Sequence, residues 1–219
     1  MERTLEPELM LDQEQVDAYA RADFSEPNSR FCDTLLTRFD LPQAARVVDL
    51  GCGPADIALR LSQARPDLTI DAVDGSEAMI ARARTELAAA SAGAQLRLWC
   101  ERLPARSLPD ASFHAVLSNS LLHHLERPEL LWQELKRLGR PDAAVLVMDL
   151  RRPDSAEAAR ALVHTYAADE APILRRDFEA SLHAAFTPTE VEAQLKAAGL
   201  AQLRVEQPSD RHLWVVGRL

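Results

Sequence analysis

Apolar positions along the chain follow two alternating patterns. Short runs rich in β-branched residues, typical of buried strands, are separated by Ala/Leu/Arg-rich stretches with a helical period. Seven such runs predict strands: Arg46–Leu50, Leu68–Val73, Gln95–Trp99, Phe113–Leu117, Ala144–Met148, Leu203–Val205 and Leu213–Val216. Strands that alternate with helices form a mostly parallel sheet. The pattern therefore predicts an α/β fold of seven strands with helices on both faces.

Capping signals mark the helices in the second half of the chain. A stripe of leucines begins after Pro128 and is closed by Gly139, and the run Thr187–Glu190 has the form of a capping box whose helix ends at Gly199. The last two strands are joined by only a few residues, 207–210. A connection this short suits an antiparallel pair, so we expect the last strand to run backwards at the edge of the sheet.

Two amphipathic segments, 12–24 and 28–39, precede the first strand and predict helices outside the core fold. A chain of 219 residues is long enough for one substantial domain and too short for two. The resulting division is N-terminal lid helices over 1–40 and one domain over 41–219. Within that domain, 153–186 form a helical insertion that is expected to shape the ligand pocket.

Charge and composition narrow the possible partners. The chain has 25 Lys and Arg against 34 Asp and Glu, a net charge of -9, which opposes binding to nucleic acid or to an anionic membrane. It has neither a spanning apolar run nor a signal-like start, so we expect a cytoplasmic protein, as a monomer or homodimer. Its three cysteines are widely spaced, which disfavours a disulfide framework and a metal site.

The candidate chemistry lies in the turn after the first strand. Gly51 and Gly53 let the backbone approach a ligand closely, and the helix that follows offers free N–H groups. A second strand ends in Asp74, 21 residues after Gly53, where a carboxylate can accept hydrogen bonds from the two hydroxyls of a ribose. Together these residues predict a nucleotide-type site.

Asp56 helps to identify the nucleotide. The dinucleotide fingerprint requires Gly or Ala at this position and places a pyrophosphate on the helix N-terminus, where the Asp56 carboxylate would repel it. A ligand with a ribose and a cationic group but no phosphate is compatible. S-adenosylmethionine is such a ligand.

The run Val47–Asp56 resembles the first motif of the class I S-adenosylmethionine-dependent methyltransferases, and later motifs follow in the family's order. Asp71–Met79 resembles the second motif, and Leu108–Leu125 resembles the region around the fourth strand. The likeness extends to the branch of small-molecule enzymes related to quinone-ring methylating enzymes. It implies a Rossmann-like fold, S-adenosylmethionine as cofactor, S-adenosylhomocysteine as product, no metal, and a small-molecule acceptor.

The resemblance also implies roles for individual residues. It puts Asp49, Gly51, Gly53 and Asn119 around the methionine portion of the cofactor, Asp74 on the ribose hydroxyls, and Gly75 and Met79 beside ribose and adenine. The acid that usually contacts the adenine amino group is missing at its expected place, and Glu101 could serve with a shifted register.

The acceptor side is predicted from position. His123 and His124 would point about 100° apart in a helix, so at most one faces the pocket; His123, four residues after Asn119, is the preferred candidate. His123 and Asp149, at the end of the fifth strand, are the candidate general bases. Candidate acceptor-binding residues are Tyr19, Arg151, Arg176 and Arg211, the arginines for an anionic group on the acceptor.

Three other functions remain open at this point. A non-catalytic fold member could bind the cofactor and act as a partner subunit. A nicotinamide-dependent oxidoreductase is disfavoured by Asp56 and by the antiparallel last strand. A nucleic-acid methyltransferase is weakened by the net charge of -9.

Overall fold

The computed structural model of the chain describes residues 1–6, 13–90 and 95–219. Its elements, in chain order, are α1 (Gln13–Arg21), α2 (Ser25–Arg38), β1 (Arg46–Leu50), α3 (Asp56–Ala64), β2 (Thr69–Asp74), α4 (Glu77–Ala89), β3 (Leu96–Cys100), β4 (Phe113–Asn119), a 3-10 turn (Leu122–His124), α5 (Glu129–Leu138), β5 (Gly139–Leu150), α6 (Ala156–Ala167), α7 (Pro172–Ala184), α8 (Pro188–Ala197), β6 (Arg204–Glu206) and β7 (His212–Arg218). The predicted α/β fold is confirmed, and each predicted strand is present with bounds shifted by a few residues.

The seven strands form one sheet in the order β3-β2-β1-β4-β5-β7-β6. The first five pair in parallel, and β7 is antiparallel to both β5 and β6. This confirms the antiparallel last strand. The carboxyl ends of β1, β2, β4 and β5 consequently meet at one edge, which is the edge where open α/β sheets bind ligands.

Alternate residues of the central strands enter two cores, one on each face of the sheet. Val47 packs with α2, α3 and α4 in one core, while Val48 packs with α5 and α8 in the other. Both valines are fully buried. Burial on both faces explains why β1 is an almost continuous apolar run.

The start of β5 differs from the prediction. The sequence predicts a strand over 144–148 after a loop at Gly139, but β5 begins at Gly139 directly after α5. Gly139 is extended rather than left-handed, and a Cβ there would lie 2.3 Å from Leu219 Cδ1 and 3.0 Å from the Leu135 carbonyl oxygen. Close packing against these two residues, rather than a helix exit, is the physical reason for glycine.

The remaining helices match their sequence signals. α8 begins with the predicted capping box of Thr187 and Glu190, and Gly199 is left-handed after it. α1 and α2 lie in the segments predicted before β1, although residue 12 is outside the described residues, and α6 and α7 occupy 153–186. The lid and domain boundaries stay predictions.

No described helix combines the length and the apolar character that crossing a bilayer requires.

Candidate functional site

A cavity of about 550 Å³ lies at the carboxyl edge of the sheet. The ends of β1, β2 and β4 form its floor, while residues of α1, α2 and α7 line it from the helical side. Predicted site residues that line this cavity are Tyr19, Asp49, Gly51, Gly53, Asp74, Gly75, Met79, Glu101, Asn119, His123 and Arg211. A single cavity thus brings most of the predicted residues together.

The turn after β1 is a tight backbone cradle. Gly51 and Gly53 have φ of 72° and 53°, in the left-handed region that favours glycine. The backbone N–H groups of Gly51 and Cys52 both donate to the Val73 carbonyl, at 2.8 and 2.9 Å. A Cβ at Gly51 would lie 2.8 Å from Leu121 Cβ, whereas no described atom lies within 4 Å of a Cβ at Gly53. Gly51 therefore serves close packing, and Gly53 leaves open space beside the cavity.

Asp74 connects this turn to the end of β2. Its Oδ2 accepts a hydrogen bond from the Gly53 backbone N–H, and its Oδ1 accepts one from the Ser76 backbone N–H, both at 2.8 Å. Burial raises the pKa of Asp74, while these two hydrogen bonds act in the opposite direction. The two sequence motifs are therefore joined by the carboxylate itself.

Asp49 is the most unusual acid in the cavity. Its side chain is buried, and neither carboxylate oxygen has a hydrogen-bond partner among the described residues. Burial raises the pKa of Asp49 to about 7, with further contributions from the negative charges of Asp74 and Asp56. A buried carboxylate without partners is costly, so this position suits a ligand that brings a positive charge or hydrogen-bond donors.

Asn28 of α2 is a cavity residue that the sequence analysis missed. Its amide donates to Asp56 Oδ2 at 2.7 Å and accepts from Asn119 Nδ2 at 3.1 Å, which ties α2 to the start of α3 and to the end of β4. Asp56 is also paired with Arg60 at 2.7 Å. A sequence signal for Asn28 exists. It is a polar residue on the same face of α2 as the buried Phe31, Cys32 and Leu35.

Three predicted adenine-side residues line the cavity near β2 and β3. Met79 is buried in the first turn of α4, and Gly75 precedes that helix. Glu101 follows β3, and its carboxylate already accepts hydrogen bonds from the backbone N–H groups of Arg106 and Ser107. Glu101 can accept a further hydrogen bond, because a carboxylate has about four acceptor sites.

Both histidines of the 3-10 turn line the cavity, which corrects the expectation that at most one would face it. The rings of His123 and His124 lie 4.1 Å apart between centroids. They converge because a carboxylate oxygen of Glu6, Oε1, lies 3.3 Å from His123 Nε2 and 3.1 Å from His124 Nδ1. Sequence analysis gave Glu6 no role, since a single acid more than 100 residues away carries no pattern.

Asp149 is placed behind His123 and is not among the described residues that line the cavity. Its Oδ1 lies 2.5 Å from His123 Nδ1, and both side chains are buried. Burial by itself lowers the pKa of His123, but the Asp149 carboxylate and then Glu6 raise it on balance. Asp149 is therefore positioned to orient His123 rather than to meet an acceptor directly.

The predicted acceptor arginines are in different places. Arg211 lines the cavity, with its guanidinium 3.4 Å from the centre of the Tyr166 ring. Arg151 and Arg176 are outside the described lining: Arg151 donates to the Asp210 carbonyl at 2.9 Å, and Arg176 pairs with Asp177 at 3.1 Å. Of the three arginines, Arg211 alone is among the described residues that line the cavity.

Tyr19 lies on α1, and its ring packs 4.8 Å from the ring of Phe24. Burial raises the pKa of Tyr19 to about 12, and nearby acids contribute, so the phenol stays protonated at neutral pH. The neutral hydroxyl is available as a hydrogen-bond donor at the cavity wall.

Comparison with known proteins places the chain in a wider group. Residues 47–142 match the family described as "Methyltransferase domain". The chain is 32% identical over 149 residues to the trans-aconitate 2-methyltransferase of Variovorax paradoxus, which covers 68% of this chain and 54% of that protein. It spans between 39% and 54% of the length of several such relatives.

Solved structures show the same architecture. A S-adenosylmethionine-dependent methyltransferase from Aquifex aeolicus superposes with a TM-score of 0.70 at 19% identity, over 95% of this chain and 99% of that chain. The plantazolicin methyltransferase BpumL, crystallised with a desmethylplantazolicin analogue and S-adenosylhomocysteine, gives 0.68 at 17% identity, over 94% and 91%. At these identities the likeness concerns the fold.

Proposed function

Because this chain contains a domain of the class I S-adenosylmethionine-dependent methyltransferase family, we propose that it transfers a methyl group from S-adenosylmethionine to a small-molecule acceptor. The observation that carries the proposal is the partnerless, buried carboxylate of Asp49 beside a glycine turn that is bonded to Asp74. This arrangement suits a ligand with a ribose and a cationic portion. The expected likeness to quinone-ring methylating enzymes stays a prediction.

The residues of the cavity fit this cofactor. We assign the ribose hydroxyls to Asp74, the cationic methionine portion to Asp49 and Asn119, and the close backbone approach to Gly51 and Gly53. Gly75, Met79 and Glu101 then belong to the ribose and adenine side. When bound, S-adenosylmethionine supplies a methyl group on a sulfonium sulfur, which is already a good leaving group.

Since the leaving group is already good, the chain's own contribution is mostly to position the acceptor and exclude water. The acceptor half of the cavity contains His123, whose ring is oriented by Asp149. Where an acceptor has to lose a proton, we assign its acceptance to His123 and the positioning of the imidazole to Asp149. Tyr19 and Arg211 contribute a hydroxyl donor and a cation to the same cavity.

The charged residues near His123 and Arg211, in the acceptor half of the cavity, indicate which acceptors can bind there. Arg211 is accompanied there by Glu170 and by Asp177, which is paired with Arg176, so this part of the lining offers little net positive charge for a polycarboxylate. Trans-aconitate, the compound in the name of the Variovorax paradoxus relative, is such a polycarboxylate. We therefore infer an acceptor with at most one anionic group, bound near Arg211.

Titration calorimetry tests the cofactor assignment. S-adenosylmethionine, S-adenosylhomocysteine and NADH are titrated into the native chain, Asp74→Ala and the matched control Asp67→Ala, whose carboxylate also accepts a backbone N–H but lies outside the cavity lining. We expect binding of the first two ligands to the native chain and the control only. No binding to the native chain, or preferential binding of NADH, would contradict the proposal.

An acceptor panel then tests catalysis. Formation of S-adenosylhomocysteine is followed with neutral, monoanionic, cationic and polycarboxylate acceptors, trans-aconitate included. Turnover of one class identifies the substrate chemistry. Cofactor binding without turnover of any class favours the second candidate function, a cofactor-binding partner subunit, for which the occupied position of Glu6 against His123 is the supporting observation.

A further inference from the structure

We propose that Glu6, His123 and His124 form a binding site for a first-row divalent metal ion of the zinc type, at the acceptor end of the cavity. Three ligand atoms, Glu6 Oε1, His123 Nε2 and His124 Nδ1, lie within 4.8 Å of one another. The proposal concerns metal binding by the chain alone. In the metal-bound protein His123 Nε2 is a ligand, so the proton acceptance assigned to His123 above applies to the metal-free protein only.

Two of the three distances between the ligand atoms match tetrahedral coordination. Zinc bonds to imidazole nitrogen and carboxylate oxygen are about 2.0–2.1 Å long, so neighbouring ligand atoms of a tetrahedral site lie about 3.3 Å apart. Glu6 Oε1 lies 3.3 Å from His123 Nε2 and 3.1 Å from His124 Nδ1. Two nitrogens and one carboxylate oxygen are also a ligand set found in zinc sites that keep a position open for water or substrate.

The surroundings of Glu6 are unusual for a salt bridge alone. Its Oε1 is buried and makes no hydrogen bond with any described residue, while Ser181 donates to the other oxygen, Oε2, at 3.3 Å. Oε1 is the oxygen that lies within ion-pair distance of both rings. A buried acceptor in this state calls for a donor or a cation.

The hydrogen bonding of His123 supports the same conclusion. A metal ion binds the neutral imidazole. Asp149 Oδ1 lies 2.5 Å from His123 Nδ1, so in the neutral ring the proton is on Nδ1 and the Nε2 lone pair is directed at Glu6. In a neutral ring that lone pair faces a carboxylate oxygen, which is repulsive. A cation between the two atoms removes the repulsion, and a carboxylate behind a histidine is the usual outer partner of a metal-bound imidazole.

The chain holds Glu6 in place through its neighbours. Arg3 donates to the carbonyls of His123 and Leu125, at 2.9 and 3.1 Å, and its guanidinium lies 3.9 Å from the centre of the Phe186 ring. The backbone N–H of Thr4 donates to the His183 carbonyl at 3.0 Å. Because both histidines line the cavity, the remaining coordination positions face the space assigned to the acceptor.

The test uses untagged full-length protein, because a polyhistidine tag binds the same ions, and the Cys100→Ser background, because Cys100 is an exposed thiol. After removal of metal with a chelator, Co²⁺ is titrated and followed by its visible absorption, which is intense for tetrahedral coordination. Zn²⁺ is then added in competition. We expect one Co²⁺ per chain, displaced by Zn²⁺, with release of protons measured by calorimetry in two buffers.

Variants locate the site. Glu6→Gln and His124→Gln should each weaken Co²⁺ binding at least tenfold, and Asp149→Asn should weaken it roughly 10- to 100-fold as an outer partner. Glu2→Gln, in the same exposed segment, and His164→Gln, on the surface of α6, are matched controls that should bind as the background does. A cooperative thermal transition of each metal-free variant shows that it is folded. His124 is chosen for substitution because its ring is less buried than that of His123.

Two outcomes would overturn the proposal. One is the absence of tetrahedral Co²⁺ absorption in the background protein, which means that the cluster holds a proton only. The other is binding that survives Glu6→Gln and His124→Gln but is lost in His164→Gln. Titration of S-adenosylhomocysteine into metal-free protein tests the proposed function separately. If the metal site is absent, binding of S-adenosylhomocysteine should still be observed.

Discussion

The backbone N–H of Gly53 donates to Asp74 Oδ2 at 2.8 Å, so the turn after β1 and the end of β2 are bonded to each other before any ligand arrives. The carboxylate that is assigned to the ribose therefore also fixes the shape of the glycine turn. Preorganisation of this kind lowers the cost of ordering the loop on binding.

Asp74→Asn should weaken binding of S-adenosylhomocysteine at least tenfold, about 1.4 kcal/mol. An amide nitrogen cannot accept a hydrogen bond, so one of the donors of Gly53, Ser76 or the ribose loses its partner. Calorimetry measures the change, with Asp67→Asn as the control outside the cavity lining. Equal affinities in the two variants would remove Asp74 from the site.

Gly51→Ala should destabilise the fold more than Gly53→Ala. Both positions are left-handed, which strains an alanine by roughly 1–2 kcal/mol. At Gly51 the new Cβ would also lie 2.8 Å from Leu121 Cβ, and overpacking adds about 1–3 kcal/mol. Thermal unfolding of the two variants gives the comparison; an equal loss in both would show that strain alone decides.

The stability of the native chain should fall with rising pH through a contribution from Asp49. Burial raises the pKa of Asp49 to about 7, above its value of about 3.9 in an unfolded chain. The stabilisation is complete below about pH 4 and is lost as the pH rises through 7. Asp49→Asn should therefore be the more stable protein above pH 7, by up to ~4 kcal/mol.

Urea unfolding of both proteins at pH 5, 6.5 and 8 measures this difference, because contributions from other groups cancel between them. A difference that does not grow with pH would show that Asp49 is ionised throughout. S-adenosylmethionine should bind the native chain more tightly at pH 8 than at pH 6, since its positive charge favours the ionised carboxylate, and Asp49→Asn should remove this dependence.

Arg137→Ala should lower the free energy of unfolding by about 3 kcal/mol, because Arg137 holds the loop between β3 and β4 in place. Arg137 donates to the buried carboxylate of Glu134 at 2.7 Å and to the carbonyls of Ala105 and Leu108, at 2.7 and 2.9 Å. Its loss leaves the Glu134 carboxylate buried with one remaining hydrogen-bond donor among the described residues, the Ala105 backbone N–H.

Urea unfolding measures the effect of Arg137→Ala. Adding Glu134→Gln should recover part of the loss, because the uncompensated charge is then gone. Arg127→Ala, which breaks the exposed pair with Glu129, is the control and should change stability by less than about 0.5 kcal/mol. A loss no larger in Arg137→Ala than in this control would show that the Glu134 carboxylate is adequately solvated.

The parts of the site that the sequence predicts are those within a short stretch of chain. Gly51, Gly53 and Asp74 belong to two consecutive strand ends, and parallel strands bring such ends to one edge. Glu6 meets His123 and Asn28 meets Asn119 across roughly 90 to 120 residues. No local period encodes such pairs, so the N-terminal contribution to the cavity required the structure.

The same distinction applies to the fold. The seven strands and the antiparallel β7 follow from apolar runs and short connections. The start of β5 does not follow from the sequence pattern. Glycine is required at 139 by close packing against Leu135 and Leu219, and this packing is visible only in the structure. Arg151 and Arg176 are predicted from charge and, for Arg151, from its place after β5; neither determines the direction in which a side chain projects.

The position of β7 between β5 and β6 has a consequence for the order in which the chain assembles. During synthesis the strands from β1 to β5 emerge first, and β5 then has one side without a neighbour. The side chains from Ala143 to Met148 are apolar, and the backbone groups along that edge stay unpaired until residues 212–218 arrive. An unpaired apolar strand edge is a template for pairing with another chain. A nascent or C-terminally shortened chain should accordingly be prone to self-association, with its nucleotide-binding turn already formed.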